Sequence, residues 1–121
     1  MNNFDVNGSA VIYTGNHAVQ GSTVLNKFGT VSTNNDDTPS VLGKNNLLLE
    51  YAGGHTITNF DDGIDGQEIT VTLEASSAVT IEDNAYILTP TGGNLSLQVG
   101  DVIKFINVNG VWRCSGYSDN T

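Results

Sequence analysis

The stretch from Ile57 to Arg113 decides the fold, and it reads ITNFDDGIDGQEITVTLEASSAVTIEDNAYILTPTGGNLSLQVGDVIKFINVNGVWR. Short runs that alternate apolar and polar residues are separated in it by clusters of Gly, Asn and Asp. In the run EITVTL, residues 68–73, every second residue is apolar and Thr fills the positions between. Successive side chains of a strand point to opposite faces, so this alternation predicts a β-strand with one buried face.

Similar runs recur on both sides of this strand. Further strands are predicted over 47–51, 55–60, 79–81, 86–88, 95–99, 102–108 and 111–114. The dipeptide Asn109-Gly110 predicts a tight hairpin, because both central residues of such a turn adopt a positive φ that Asn and Gly tolerate. Short strands at intervals of roughly 8–12 residues, with turn residues between them, predict an all-β fold, either a small β-sandwich or a barrel-like domain.

The first 45 residues show a weaker pattern than the rest of the chain. A second Asn-Gly pair, Asn7-Gly8, predicts a small hairpin, and the polar stretch after it carries only scattered apolar residues. We therefore predict an irregular N-terminal hairpin and extended arm over residues 1–45 and a compact β-domain over residues 46–121. An arm of this composition is expected to wrap neighbouring subunits rather than to fold by itself.

The composition raises the question of how the chain completes its core. Hydrophobic residues, with Gly left out, make up 38% of the chain, and Asn, Thr, Gly, Asp and Ser fill much of the remainder. A chain so poor in large apolar residues either stays partly disordered or completes its core with copies of itself. The composition alone leaves both alternatives open.

The charge balance argues against two classes of partner. The net charge is −9, and the only strong cations are Lys27, Lys44, Lys104 and Arg113. Binding to a phosphate backbone or to an anionic membrane surface requires clustered Lys and Arg, so we predict no nucleic acid and no membrane as a partner. No apolar run approaches the ~18 residues that span a bilayer, and the N-terminus shows no signal peptide pattern.

Residues for catalysis or for a transition metal are scarce. Cys114 is the one cysteine, so it forms no internal disulfide, and His17 and His55 are the only histidines with which it could bind zinc. We expect Cys114 to be a partly buried free thiol. The sequence contains no nucleophile elbow, phosphate-binding Gly loop or metal-ligand helix. We therefore predict no enzymatic activity, no catalytic residue and no cofactor.

The acidic run Asp61–Glu68 is the one segment that invites a metal interpretation. Carboxylates near a Gly suit a hard cation such as calcium, and the ligands would come from Asp61, Asp62 and Asp65. The run departs from the EF-hand loop, because Gly63 stands at the third position and no Glu stands at the twelfth. We favour a solvated acidic turn, with a calcium site as the alternative.

Trp112 is the single tryptophan and directly follows the predicted hairpin. Its flat apolar faces suit stacking on a sugar ring, which would make it part of a glycan-binding site. Its place at the start of a terminal strand fits packing in the core or in a subunit interface at least as well. We favour core or interface packing.

The second half of the chain also carries an ordered series of residues of the form I-T-N-F…G…G-Q-x-I…T-I…L…D-x-I…G-x-W. It runs through Ile57–Phe60, Gly63, Asp65–Gln67, Ile69–Val71, Val79–Asp83, Ile87-Leu88, Gly92, Leu97, Asp101–Ile103, Phe105 and Gly110–Arg113. This order resembles the C-terminal, distal domain of phage tailspikes, tail fibres and other appendage proteins. The opening, Val6–Asn16, is also similar to tail-fibre segments of the form V-N-G…V…G-N.

The resemblance implies an intertwined homotrimer at the distal tip of a virion appendage, on the surface of the phage particle. Such a domain supports assembly and folding, and it contacts the host surface in some proteins. The implied partners are other copies of the chain, other virion proteins and a host surface glycan. Three copies can pool one core, for which the candidates are Ile69, Val71, Leu73, Ile103, Phe105 and Trp112.

Two alternatives to a structural tip domain stay open. One is a receptor- or glycan-binding tip module that uses Trp112 or the loop around Asp61–Gly66, and the other is a trimeric capsid decoration protein. We expect the chain to be either a terminal piece of a longer spike or a small self-standing virion protein.

Overall fold

The computed structural model describes residues 29–31, 36–51, 54–74 and 78–121. Its strands are β1 (Gly29–Val31), β2 (Asn46–Leu49), β3 (Thr56–Ile57), β4 (Glu68–Leu73), β5 (Val79–Ile81), β6 (Ile87–Leu88), β7 (Leu95–Leu97), β8 (Val102–Val108) and β9 (Val111–Ser118). The described residues contain no helix, and therefore none long and apolar enough to cross a membrane. The predicted all-β fold is confirmed. The hairpin predicted around Asn7-Gly8 lies outside the described residues.

The strands form two sheets that combine parallel and antiparallel pairs. The large sheet has the order β1-β2-β4-β8-β9-β6, and the small sheet has the order β3-β5-β7. The pairs β4–β8, β8–β9 and β5–β7 are antiparallel. The pairs β1–β2, β2–β4, β6–β9 and β3–β5 are parallel. Parallel strands cannot be joined by a tight turn, so each parallel pair brings together segments that lie apart in the sequence.

The hydrophobic core unites the inward faces of the two sheets. Alternate residues of β4 are buried as predicted, while Thr70 and Thr72 lie on its other face. The large sheet contributes Leu47, Leu49, Ile69, Val71, Leu73, Ile103, Phe105 and Trp112, and the small sheet contributes Ile57, Val79, Ile81 and Leu97. Burial of these apolar side chains stabilises the fold by roughly 25 cal/mol for each Å² removed from water.

The β8–β9 hairpin forms at the predicted turn. Asn109 and Gly110 have φ values of 52° and 85°, which are the positive angles that a tight hairpin turn requires. Beyond residue 114, where the sequence pattern ends, β9 continues to Ser118. A register shift between Lys104 and Phe105 marks a β-bulge in the pair.

The C-terminus is fixed by a buried carboxylate. Asp101 is 1% exposed. Its Oδ1 accepts a hydrogen bond from the Asn120 amide at 2.9 Å, and its Oδ2 accepts one from the Gln98 amide at 2.9 Å and one from the Tyr117 hydroxyl at 3.4 Å. Burial and the nearby Asp101 charge raise the pKa of Tyr117. A buried carboxylate is tolerated only when its oxygens are satisfied in this way.

Part of the predicted N-terminal arm packs onto the compact domain. Strand β1 pairs with β2 at the edge of the large sheet. The Asp61 amide donates to the Pro39 carbonyl at 3.0 Å, and the Val41 amide donates to the Asp61 carbonyl at 2.8 Å. The Val41 side chain is fully buried in the core. The predicted boundary at residue 45 therefore does not separate two units within the described residues.

All six candidates for a shared trimer core lie inside one subunit. Their exposed fractions are between 0% and 2%, for Ile69, Val71, Leu73, Ile103, Phe105 and Trp112. They belong to a single cluster that also includes the core residues of the small sheet. Side chains already removed from water in one chain have no surface left for a partner. These six residues therefore form the core of one subunit and are not available for contacts between subunits.

Candidate functional site

The acidic loop, residues 60–67, is held against the β8–β9 hairpin by Trp112. The indole Nε1 donates a hydrogen bond to the Phe60 carbonyl at 3.1 Å. The Phe60 ring meets the indole edge-on, with 5.8 Å between the ring centroids and 81° between the planes. Trp112 is only 1% exposed, so it presents no face to a sugar ring. The sugar-stacking interpretation of Trp112 is wrong, and its ring packs in the core.

Gly63 allows the acidic loop to approach the indole closely. A Cβ built on Gly63 would overlap Cζ2 of Trp112 and would lie 3.0 Å from Nδ2 of Asn107. The Gly66 amide donates to the Asn107 carbonyl at 2.8 Å, and the Asn107 amide donates to the Gln67 carbonyl at 2.8 Å. The loop is therefore tied to β8 by backbone hydrogen bonds as well as by its contact with the indole.

Two polar side chains hold the acidic loop at its far end. Gln67 Nε2 donates to the carbonyls of Val41 at 2.9 Å and Lys44 at 2.7 Å, and Gln67 Oε1 accepts from the Ile64 amide at 3.1 Å. Asp65 Oδ1 accepts from the Asn109 amide in the hairpin turn at 2.9 Å. The loop thus connects residues 41–44 to the end of the hairpin, and its polar groups make the hydrogen bonds of this connection.

The acidic loop does not gather its carboxylates into a metal site. Asp65 bonds the hairpin turn, and Asp62 accepts a hydrogen bond from the Ser40 hydroxyl. Asp61, Asp62 and Asp65, the calcium candidates, are all exposed. Within the part of the chain that the structure describes, no three His, Cys, Asp or Glu side chains come together in a way that could hold a metal ion.

The cysteine and the described histidine each make a local contact. Cys114 is partly buried, as expected, and its Sγ lies 3.5 Å from the Gly116 carbonyl oxygen. Burial raises the pKa of the Cys114 thiol, which disfavours the nucleophilic thiolate. His55 meets the ring of Tyr51 edge-on, with 6.0 Å between the ring centroids. His17 lies outside the described residues.

Tyr51 is a buried tyrosine that anchors the segment before β2. Its side chain is fully buried, and its hydroxyl donates a hydrogen bond to the Asp36 carbonyl at 2.7 Å. Burial, together with the charges of Asp36 and Asp37, raises the pKa of Tyr51 to about 12. A phenol held neutral in this way is a structural hydrogen-bond donor rather than a general base.

The outward side of the large sheet is a mixed apolar and charged surface, which we name the outer face. Strand register places on this side Asn46, Leu48, Glu68, Thr70, Thr72, Leu88, Val102, Lys104, Ile106, Val108, Val111 and Arg113. The aliphatic side chains are half-buried except for Leu88, which is 42% exposed, while Lys104 and Arg113 are exposed. Two of the four strong cations of the chain therefore lie on this face.

A second surface lies between the acidic loop and the segment before β2, and we name it the Leu42–Ile64 groove. It is an open groove of about 500 Å³ between residues 42–45 and the acidic loop. Leu42 and Ile64 are 69% and 70% exposed. The carboxylates of Asp62 and Asp65 lie beside them. Lys44 also lines the groove, so the groove combines exposed aliphatic side chains with two carboxylates and one cation.

A third surface, the Tyr86 groove, lies where β6 begins. It has a volume of about 450 Å³ and is lined by Thr38, Thr58, Asn59, Glu82, Asn84, Ala85 and Tyr86. The Tyr86 side chain is 55% exposed. Sequence reasoning missed this groove, because Tyr86 stands beside apolar residues and reads as the start of a strand. The turn residue Asn84, two positions earlier, is the signal that could have placed Tyr86 at an exposed corner.

A comparison with known families identifies the chain. Residues 23–113 match the family model of the phage depolymerase C-terminal beta sandwich domain. This range is 91 of the 121 residues. The chain belongs to this family. The resemblance to the distal domain of phage tailspikes is therefore confirmed, and so is the β-sandwich form of this depolymerase C-terminal domain.

One relative of this depolymerase C-terminal domain is a much larger protein. It is "Depolymerase 1, capsule KN3-specific" of Klebsiella phage KN3-1, and it is 25% identical over 101 residues. These residues are 84% of this chain and 13% of the relative, so the chain spans only a small part of that protein's length. No solved structure matches the chain.

Family membership makes the chain a tailspike-type virion structural domain and a component of the phage tail. The C-terminal domain of a depolymerase is typically structural and non-catalytic, although the relative as a whole is an enzyme. In this depolymerase C-terminal domain the motif residues Phe60, Gly63, Gln67 and Trp112 build the joint between the acidic loop and the hairpin. These motif residues therefore serve the fold.

Proposed function

We propose that this domain assembles as a homotrimer at the distal end of a phage tailspike, holding three copies of the spike together on the virion. A second function, contact with the host surface, is favoured by the exposed Tyr86 groove and is developed below. Membership in a depolymerase family supports a position on the tail rather than a role as a capsid decoration protein.

The observation that carries the proposal is the presence of two complementary surfaces on one subunit. The outer face combines aliphatic side chains with two cations, Lys104 and Arg113, against one acid, Glu68. The Leu42–Ile64 groove combines aliphatic side chains with two acids, Asp62 and Asp65, against one cation, Lys44. In a cyclic trimer each contact is heterologous, which means that it joins two different patches. We infer that the outer face of one subunit packs against the Leu42–Ile64 groove of the next.

Apolar burial is the larger part of the expected contact energy. Fully burying a Leu or Ile side chain stabilises by about 1.5–3 kcal/mol. Leu42 and Ile64 are about 70% exposed, so each would contribute about 1–2 kcal/mol when covered. Exposed ion pairs contribute only about 0–1 kcal/mol each. The cations of the outer face therefore orient the contact with the acidic groove more than they strengthen it.

The test is the molar mass of the purified chain in solution, measured by light scattering across a range of concentrations. The expected mass is three times the 12.8 kDa of one subunit. Ile64→Asp and the double variant Lys104→Glu/Arg113→Glu should each shift the mass to that of a monomer. Tyr86→Ser removes exposed apolar area outside both surfaces and should leave the trimer intact.

A mixing experiment tests the heterologous arrangement itself. The Ile64→Asp chain keeps an intact outer face, and the Lys104→Glu/Arg113→Glu chain keeps an intact groove. An equal mixture should therefore form a heterodimer through the one remaining contact, although each variant alone is a monomer. A monomeric wild-type chain would refute trimerisation. A trimer that survives Ile64→Asp would refute this interface.

A further inference from the structure

The exposed aromatic ring of the Tyr86 groove stands on a rigid support. The Tyr86 amide donates to Asn84 Oδ1 at 2.7 Å, and the Tyr86 carbonyl accepts from the Trp112 amide at 2.8 Å. The next amide, that of Ile87, donates to the same Asn84 oxygen at 3.0 Å. The backbone that carries the ring is therefore fixed on both sides, although 55% of the Tyr86 side chain faces water.

The floor of the groove is held together by Asn84. Its Nδ2 donates to the Thr58 carbonyl and to Glu82 Oε2, both at 2.9 Å. The Glu82 amide in turn donates to the Ile57 carbonyl at 2.9 Å. These bonds fix the Glu82 carboxylate beside the ring without using all of its acceptor positions, because a carboxylate offers about four lone-pair sites.

The remaining lining groups are hydroxyl and amide groups that both donate and accept hydrogen bonds. Thr38, Thr58 and Asn59 line the groove, and each is partly exposed. A volume of about 450 Å³ lies within the roughly 300–1,000 Å³ of small-molecule sites. The groove thus offers one flat apolar ring, one carboxylate and several neutral polar groups in a small space.

We propose that the Tyr86 groove binds a saccharide, with a sugar ring stacked on the Tyr86 phenol and its hydroxyls bonded to Glu82, Asn59 and the threonines. The chemistry of a sugar matches this lining, because one face of a pyranose is rich in C–H groups while its rim carries hydroxyls. The exposed face of an aromatic ring complements the C–H face of the sugar, and fixed polar groups complement its hydroxyls.

The charge of the groove selects among saccharides. Glu82 is the one charged group that lines it, and the chain carries a net charge of −9. A uronic acid or another anionic sugar would be repelled by both, whereas hydroxyls donate well to a carboxylate. The ligand class is therefore a neutral saccharide. The proposal rests on the proposed virion role only because that role would bring the domain into contact with such a sugar. It does not depend on trimerisation.

The test uses the full chain on an array of defined bacterial oligosaccharides, neutral and uronic-acid-containing, followed by calorimetric titration of a neutral ligand that binds. Tyr86→Ala should weaken this binding about tenfold or more, since it removes the stacking face. Tyr86→Phe retains the ring and should bind within about threefold of wild type. Val99→Ala removes a comparably exposed apolar side chain elsewhere on the surface and should leave binding unchanged.

The nuclear magnetic resonance spectrum of the backbone amides gives a second measurement of binding. On titration with the neutral oligosaccharide, the backbone amide resonances of Asn59 and Tyr86 should shift in the wild-type chain. Binding that survives Tyr86→Ala, a preference for acidic sugars, or no binding to the array would each overturn the proposal. None of these results depends on the molar mass, so failure here is distinguishable from failure of the trimer.

Discussion

Replacing Gly63 by Ala should destabilise the domain more than an ordinary exposed Gly-to-Ala change, because the added methyl group has no space. The new Cβ would overlap Cζ2 of Trp112 and would lie 3.1 Å from Cη2 of the same ring. Gly63 does not have a positive φ, so the penalty is steric rather than conformational. Either the indole or the acidic loop must move to relieve the overlap.

Movement of either group costs free energy that can be estimated from the contacts. Overpacking a core costs about 1–3 kcal/mol. Separation of Trp112 from Phe60 weakens an edge-on aromatic pair, worth about 0.5–1.5 kcal/mol, and strains the hydrogen bond from the indole Nε1 to the Phe60 carbonyl. The overpacking cost, the weakened aromatic pair and the strained hydrogen bond are not independent, so their sum is an upper limit. We expect the free energy of unfolding to fall by about 2–4 kcal/mol.

The assay is urea unfolding at a fixed protomer concentration, followed by the fluorescence of the single tryptophan, Trp112. Gly93→Ala is the matched control, because a Cβ there meets nothing within 4 Å and Gly93 has no positive φ. The control should be neutral or slightly stabilising, by up to about 1 kcal/mol. In a Trp112→Phe background, where unfolding is followed by far-UV circular dichroism because the single tryptophan is gone, Gly63→Ala should cost less, since the clashing part of the ring is absent. If Gly63→Ala unfolds at the same urea concentration as Gly93→Ala, the steric argument is refuted.

Three further predictions concern other parts of the fold. Because the pKa of Tyr51 rises from 10.0 to about 12 on folding, the folded state keeps a proton that the unfolded chain loses, and this residue should lower the free energy of unfolding by about 1.4 kcal/mol per pH unit between pH 10 and pH 12. Tyr51→Phe should make the slope shallower, with Tyr117 leaving a remainder because its pKa is also raised, whereas Tyr86→Phe should retain the full slope. Equal slopes in all three proteins would contradict the assignment. Asp101→Asn places an amide donor among hydrogen-bond donors, so it should cost about 1–3 kcal/mol and speed amide exchange at Asn120, and unchanged exchange would show that this carboxylate does not hold the C-terminus. Gly110→Ala forces a side chain onto a φ of 85°, so thermal unfolding should reveal a loss of about 1–2 kcal/mol, and an unchanged midpoint would argue against strain at the hairpin turn.

Local patterns predicted individual strands well, because the relevant physics lies within a few residues. The alternation in residues 68–73 correctly predicted which side of β4 is buried, and the apolar run 102–108 correctly predicted both ends of β8. The pair Asn109-Gly110 gave the hairpin, since positive φ is a property of those two residues alone. Each of these predictions needed no knowledge of the rest of the chain.

Pairing between distant strands could not be predicted in the same way. Alternation in β2 shows that one face is buried, but it does not show that β2 runs parallel to β1 and β4. The contribution of residues 36–45 was missed for a related reason. Their hydrogen bonds to residues 58 and 61 are made mainly by the backbone, which leaves no trace in the order of side chains.

The candidate binding surfaces were the hardest to predict, because exposure depends on the whole fold. For Trp112 the sequence favoured core or interface packing over a sugar platform, and the structure buries the ring in the core; it is Tyr86, which the sequence did not single out, that is exposed. The six proposed trimer contacts are likewise core residues, because one chain already packs them into a single cluster with the small sheet.

The buried motif residues that fix the acidic loop differ from Ile64 and Tyr86, the exposed side chains of the two proposed binding grooves. Gly63, Gln67 and Trp112 fix the acidic loop, and a change in them should act on stability first. Ile64 and Tyr86 project from the same framework into solvent and are not part of the pattern. A frame fixed by buried contacts tolerates changes at its exposed positions, since surface substitutions usually alter stability by no more than about 0.5 kcal/mol. Specificity for a partner subunit or a saccharide can therefore change at Ile64 and Tyr86 while the fold is retained.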